Sequence, residues 1–208
     1  MLDYEHKARQ NGYQLIIGID EVGRGPLAGP VVASAVALRK TQFLSRIDDS
    51  KKMTPVQREK AFLEIFNNAH VGIGVISESV IDDVNILQAT FLAMRNAVDN
   101  LLSYLPAVIK DQKEFTATTF LLIDGNRFQS DLPYKYQTIV NGDGLSLSIA
   151  CASIVAKVTR DRILNSYDQV FPEYGFKDHK GYPTFQHREA LKKFGPSLIH
   201  RKTFHGAA

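Results

Sequence analysis

Four acidic residues could do chemistry together: Asp20, Glu21, Asp124 and Asp143. Asp20 and Glu21 are adjacent and follow the apolar run Leu15-Ile16-Ile17, which reads as a buried strand. Two neighbouring carboxylates at the end of such a strand repel one another and resist desolvation. Clustered hard oxygens of this kind are the usual partners of a divalent cation. Asp124 closes a second apolar run, Phe120-Leu121-Leu122-Ile123, and Asp143 sits within Asn141-Gly142-Asp143-Gly144. Taken singly, each of these two fits an ordinary turn. Together the four fit two hard cations about 4 Å apart, clamping the attacking and leaving oxygens of a phosphoryl transfer. Gly23-Arg24-Gly25 follows at once, and its glycines let the backbone come close to a ligand.

A dinucleotide site is the first competitor. Gly23-Arg24-Gly25-Pro26-Leu27-Ala28 matches G-x-G-x-x-G/A after a strand. Such a site needs a helix to begin there, with its N-terminus facing the pyrophosphate. Pro26 and Pro30 lead instead into the β-branched run after Val31, and Asp20 and Glu21 would repel a pyrophosphate. Both counts weigh against the reading, although a metal would relieve the second.

The elements that must position the acids follow from periodicity and punctuation. Leu15 to Asp20 and Val31 to Leu38 read as strands, as do Val71 to Ile76, Phe120 to Ile123 and Tyr136 to Val140. Thr54-Pro55-Val56-Gln57 supplies an N-cap, a proline at the first helical position and a capping-box glutamine. Ile86 to Leu102 has apolar residues at helical spacing. Leu147 to about Val170 reads as a long helix whose Ala150, Cys151, Ala152, Ser153 and Ala156 let it lie close to a sheet. A shorter helix follows Pro183-Thr184 and runs towards Gly195-Pro196. The pattern is α/β with a mixed sheet, and all four acids fall at or just past strand ends, where such sheets place ligands.

The chain has 208 residues, which predicts a single domain spanning 1–208. A single cysteine excludes a disulfide framework or a cysteine-based metal site, and Cys151 reads as a packing residue. No secretory signal and no membrane-spanning run is visible, so the expectation is a cytoplasmic monomer with no membrane partner. Charge is unevenly spread. Residues 177–208 hold seven Lys or Arg against two acids, whereas the other 176 residues hold 18 basic and 20 acidic side chains. A basic segment beside an acidic body suits a polyanionic substrate. His179, His187, His200 and His205 fall in the same segment but match no compact metal motif, and read as surface or nucleic-acid contacts.

Gly18-Ile19-Asp20-Glu21-Val22-Gly23-Arg24-Gly25-Pro26-Leu27-Ala28-Gly29-Pro30 resembles the signature of the bacterial ribonuclease HII family. So do Asp49-Ser50-Lys51-Lys52, Asn85-Ile86-Leu87-Gln88-Ala89-Thr90 and Ile123-Asp124-Gly125-Asn126-Arg127. Ala152-Ser153-Ile154-Val155-Ala156-Lys157-Val158-Thr159-Arg160-Asp161, Tyr174-Gly175-Phe176 and His179-Lys180-Gly181-Tyr182-Pro183-Thr184 continue it along nearly the whole chain. The resemblance implies an RNase H-like fold and an endoribonuclease. Its substrates would be the RNA strand of RNA–DNA hybrids and ribonucleotides embedded in duplex DNA. It also implies Mg2+ or Mn2+ held by Asp20, Glu21, Asp124 and Asp143. Gly23, Arg24 and Gly25 would contact the 2′-hydroxyl, the group that distinguishes RNA from DNA. Tyr182 would pack on the deoxyribose beyond the ribonucleotide, and Lys51 would meet backbone phosphate. The basic segment of about 177–208 would grip phosphates without regard to sequence.

The chain departs from the family pattern in places. Asn141 stands where a lysine is common, which removes a positive charge beside Asp143, and Cys151 interrupts an alanine run. No clamp-binding tail and no extra N-terminal domain of the ribonuclease HIII kind is expected. The alternatives at this point are a hybrid-binding module that does not cut, or another nuclease of the same fold. A missing carboxylate would favour the first, and none is missing.

Overall fold

The computed structural model describes residues 1–110 and 114–207; position 208 of the expected domain lies outside them. The helices are α1 (Asp3–Gln10), α2 (Pro55–Asn68), α3 (Glu78–Val84), α4 (Ile86–Ser103), α5 (Ala107–Lys110), α6 (Leu147–Val170), α7 (Phe176–His179) and α8 (Phe185–Phe194). The strands are β1 (Leu15–Val22), β2 (Val31–Leu38), β3 (Ala69–Ile76), β4 (Thr119–Asp124) and β5 (Lys135–Ile139). They form one five-stranded sheet in the order β3-β2-β1-β4-β5. β2 is antiparallel to both β1 and β3, whereas β4 is parallel to β1 and to β5. The expected mixed sheet flanked by helices is what the chain forms.

β1 lies at the centre, with helices over both faces. Ile17 and Ile19 are fully buried among the residues that meet α4, while Gly18 faces α6. A Cβ on Gly18 would stand 2.2 Å from the Ser148 carbonyl carbon, so only glycine lets α6 lie this close. Gly72 and Gly74 do the same for α4, where a Cβ would meet the Ala97 and Ala93 carbonyls at 2.1 and 2.0 Å. The expected small-residue face of α6 is buried throughout, Cys151 included, and burial pushes that thiol's pKa up.

Helix starts obey the local chemistry. Thr54 and Gln57 make the reciprocal capping box, and Thr184 accepts from the His187 amide. The α6 N-terminus has a cap that periodicity does not reveal. The buried Glu5 carboxylate accepts from Ser148 N at 2.9 Å and from the Ser146 and Ser148 hydroxyls at 2.6 and 2.8 Å. An anion at the start of a 24-residue helix is favourable for its dipole. It also ties α1 to the start of α6.

Candidate active site

β1 runs two residues beyond the expected end at Asp20, because Glu21 and Val22 still pair with Ala33 and Val32 of β2. Asp20 and Glu21 therefore belong to the strand itself, and alternation sends their side chains to opposite faces. Asp20 shares the α6 side with Gly18 and is buried; its Oδ1 accepts from Glu21 N at 2.7 Å. Ile19 pairs in parallel with Ile123, so Asp20 and Asp124 leave the sheet side by side. Glu21 and Asp124 line a cleft of ≈ 320 Å³ with Arg24, Thr90, Phe91 and Asn126.

Asp143 lies just past the end of β5. It lies in a 3-10 turn, Gly142–Gly144, after β5 has ended at Ile139. Asp124 holds that turn, since its Oδ1 accepts from Gly142 N at 2.7 Å. A Cβ on Gly142 would press Ile149 Cδ1 at 2.7 Å, which explains the glycine. Asn141 has φ 56°, a left-handed conformation that asparagine tolerates well. Lys51 restores a positive charge near this point: its Nζ is 3.7 Å from Asp143 Oδ2.

Burial, then the charges of Glu21 and Asp124, hold the Asp20 carboxyl well above its ordinary pKa. Glu21 is raised by burial despite the opposing pull of Arg24. Asp143 is raised by burial and by Asp124 and Asp49, against Lys51. Lys51 is itself partly desolvated, which opposes its charge, yet Asp143, Asp49, Asp20 and Asp124 hold its pKa above the usual value. This is crowded negative charge short of compensation, and the donor set is the all-oxygen type that hard divalent cations prefer. The side chains are not drawn into a closed cage: among the described residues no three His, Cys, Asp or Glu groups converge to that degree. Asp124 is turned onto Gly142 N, and Glu21 Oε1 is 3.3 Å from Arg24 Nη1.

Residues 23–30 form an irregular loop with no helix, which removes the dinucleotide reading on its own terms. Gly23 has φ 98°, and a Cβ there would lie 2.3 Å from Arg160 Nε. Arg24 is half-exposed. At the far side of the loop, the Cβ position of Gly25 is 3.6 Å from Tyr182 Cε1. The Tyr182 side chain is 42% exposed, so its ring face is open for contact. Acids, glycine loop, Lys51 and Tyr182 thus occupy one neighbourhood.

Two sequence expectations for the basic segment are overturned. His179, His187 and His200 are buried, not surface contacts. Phe176 and Tyr174 wall them in, with the His179 and His187 rings stacked at 4.4 Å. Their hydrogen bonds form a directed chain. His187 Nδ1 is 2.9 Å from the Tyr182 carbonyl and so carries a proton; its Nε2 then accepts from His200 Nε2 at 3.0 Å. His200 Nδ1 accepts from Ser197 N at 2.9 Å. Nor does every cation of the segment face solvent: Arg201 is fully buried, and its side-chain hydrogen bonds all go to backbone carbonyls of the 23–30 loop. Arg160 does the same for Ala28, Pro30 and Lys180. Sequence reasoning passed over both arginines, since nothing local marks a guanidinium whose partners are carbonyls of distant loops.

A mixed sheet with this strand order, carrying acids on adjacent central strands, defines a nuclease of the RNase H-like class. The family described as Ribonuclease HII matches residues 17–206. A Ribonuclease HII of Geobacter sulfurreducens is 49% identical over 98% of this chain and 88% of its own length. Ribonuclease H2 from Pyrococcus horikoshii OT3 has the same fold, with a TM-score of 0.68 at 24% identity over 93% of this chain and 95% of that one. Bst-RNase HIII in complex with Mn2+ also shares it, with a TM-score of 0.64 at 16% identity over 96% of this chain and 70% of that one. The chain belongs to the ribonuclease HII family. It is an endoribonuclease, a hydrolase that needs divalent metal and acts on RNA–DNA hybrids. Among the described residues, no helix is long and apolar enough to cross a membrane.

Proposed function

We propose that this chain cuts on the 5′ side of ribonucleotides embedded in duplex DNA, as well as within the RNA strand of hybrids, leaving 3′-hydroxyl and 5′-phosphate ends. Asp20, Glu21, Asp124 and Asp143 hold the metal, Mg2+ or Mn2+. When bound, such cations supply charge neutralisation and water activation for in-line phosphodiester hydrolysis. The raised carboxyls of Asp20, Glu21 and Asp143 are the groups whose charge is relieved by that binding.

The chain's own residues choose where the cut falls. Gly23, Arg24 and Gly25 read the 2′-hydroxyl at close range, and Tyr182 packs on the neighbouring deoxyribose. Lys51 bridges from Asp143 towards a backbone phosphate, and its exposed stem leaves it free to make that move. The exposed cations of the 177–208 segment, Lys177 and Lys192 among them, add salt-sensitive grip. The protein works as a cytoplasmic monomer, one domain carrying both recognition and chemistry.

One observation supports this reading: the glycine loop that follows Asp20 and Glu21 passes beside the Tyr182 ring, so close that a Cβ on Gly25 would stand 3.6 Å from it. A loop that reads a ribose hydroxyl and a ring that packs on the next sugar would then stand side by side. Mapping the product from a duplex with one ribonucleotide, with magnesium, tests it. A single cut 5′ of the ribonucleotide is expected. Cutting of a branched DNA instead, or binding without cutting, would replace the reading with one of its alternatives.

A further inference from the structure

Arg201 grips the recognition loop from beneath. Its Nη2 is 2.5 Å from the Gly23 carbonyl and its Nη1 3.0 Å from the Arg24 carbonyl. Its Nε and Nη2 both reach the Gly29 carbonyl, at 2.9 and 2.6 Å. The backbone around it is stitched to the same loop, by Arg201 N to the Leu27 carbonyl at 2.8 Å and Gly29 N to the Ile199 carbonyl at 2.9 Å. The Phe204 ring lies 5.0 Å from the guanidinium carbon and closes the far side. Only a planar fork can span three carbonyls in this way; an ammonium is a point donor.

The peptide geometry turns this grip into a statement about the ligand side. Among the described residues every peptide bond is trans, and in a planar trans unit the N–H points away from the carbonyl of the preceding residue. Drawing the Gly23 and Arg24 carbonyls down onto Arg201 therefore aims the Arg24 and Gly25 amides away from the core. Among the described residues, neither amide donates to a protein acceptor. Two adjacent, unspent N–H groups point outward beside the Tyr182 ring, and a cation on their carbonyls polarises them as donors.

We infer that Arg201 is a positioning residue for ribonucleotide recognition, holding the Arg24 and Gly25 amides as a donor pair for the sugar 2′-hydroxyl and its adjoining phosphate oxygen. This rests on the proposed recognition of embedded ribonucleotides. It places a selectivity determinant in the basic segment without asking it to touch nucleic acid. Arg201 stays protonated at neutral pH, although burial and Arg160 pull its pKa down to about 9.

The test is binding in EDTA, where nothing is cut, to two duplexes that differ by a single 2′-hydroxyl. Wild-type protein binds the ribonucleotide duplex more tightly than the all-DNA duplex. Arg201→Lys keeps the charge and loses the fork. It should leave all-DNA affinity unchanged and reduce the preference by about tenfold, the scale of one aligned hydrogen bond. A folded Arg201→Lys protein with wild-type preference overturns the role of Arg201 alone. Equal binding of both duplexes by wild type overturns the recognition reading and the role with it. Wild-type protein also gives a reading independent of whether the variant folds. Its Arg24 and Gly25 amide resonances should shift with the ribonucleotide duplex and not with the all-DNA duplex. Resonances that stay put overturn the proposal.

Discussion

Gly25 and Tyr182 are in van der Waals reach of one another across 157 positions of sequence, with the Gly25 Cβ position 3.6 Å from Tyr182 Cε1. The loop after β1 and the turn before α8 meet there, so ring and loop can act on adjacent sugars. Tyr182→Ala should cost little stability, about 1 kcal/mol or less, since the ring is 42% exposed. Cleavage at a lone ribonucleotide should fall by about tenfold or more, and cleavage within a long RNA stretch by less. Equal losses on both substrates would argue against a role at the junction.

Gly23 and Gly25 should part company when each is changed to alanine. A methyl on Gly25 meets Tyr182 at ordinary contact distance, so Gly25→Ala should fold normally while losing preference for the ribonucleotide. A methyl on Gly23 would collide with Arg160 Nε at 2.3 Å, on a backbone already at φ 98°. Gly23→Ala should therefore lose about 1–3 kcal/mol of stability. Thermal unfolding of the two variants side by side checks this, and two equally stable proteins would contradict it.

Asp124 holds the turn that carries Asp143, and in the proposed function it also holds metal. Asp124→Asn keeps an oxygen for Gly142 N and removes the charge. Turnover should drop by at least ~10²-fold, the scale set by losing one organised electrostatic group, while hybrid binding persists. Retained turnover would take Asp124 out of the metal site.

Metal binding should release protons. Asp20, Glu21 and Asp143 are held above their ordinary pKa values, and ligating oxygens must be deprotonated. Calorimetry of Mg2+ binding in buffers of different ionisation enthalpy measures that release. It should grow as pH falls below neutral, and binding without release would mean that the carboxyls are already fully ionised.

The buried histidines make stability pH-dependent in one direction. Burial, and then the neighbouring His187, pulls His200 down to about 4, and burial lowers His187 as well. The unfolded chain takes up these protons near 6.5, so between about 6.5 and 4 it binds more protons than the folded protein. Stability is thus fully present above 6.5 and lost as pH falls through this window. His200→Gln should flatten the fall in thermal midpoint between pH 7 and 4. An unaltered slope would assign the acid sensitivity to other groups.

Much of the frame was legible because it rests on local signals. Thr54, Pro55 and Gln57 announced α2, and the apolar runs announced β1, β2 and β4. The strand expected over Leu15 to Asp20 stopped where the apolar run gives way to acids, whereas pairing of Glu21 and Val22 with Ala33 and Val32 carries it on. The family motifs pointed to the acids, but periodicity could not say that Asp143 sits on a 3-10 turn hung from Asp124. The histidines and Arg201 were misread for one reason. A titratable side chain among lysines looks solvated until distant segments, here Phe176 and the 23–30 loop, close over it.

The grip of Arg201 on Gly29 spans 172 positions of sequence. Synthesis proceeds from the N-terminus, so residues 23–30 leave the ribosome long before the side chain that braces them. The strands bearing Asp20 and Asp124 are made first as well. Throughout that interval the nascent polypeptide carries the proposed metal-binding strands without the side chain that braces the loop beside them. On the proposed role of Arg201, selectivity is the last property this protein acquires as it is made.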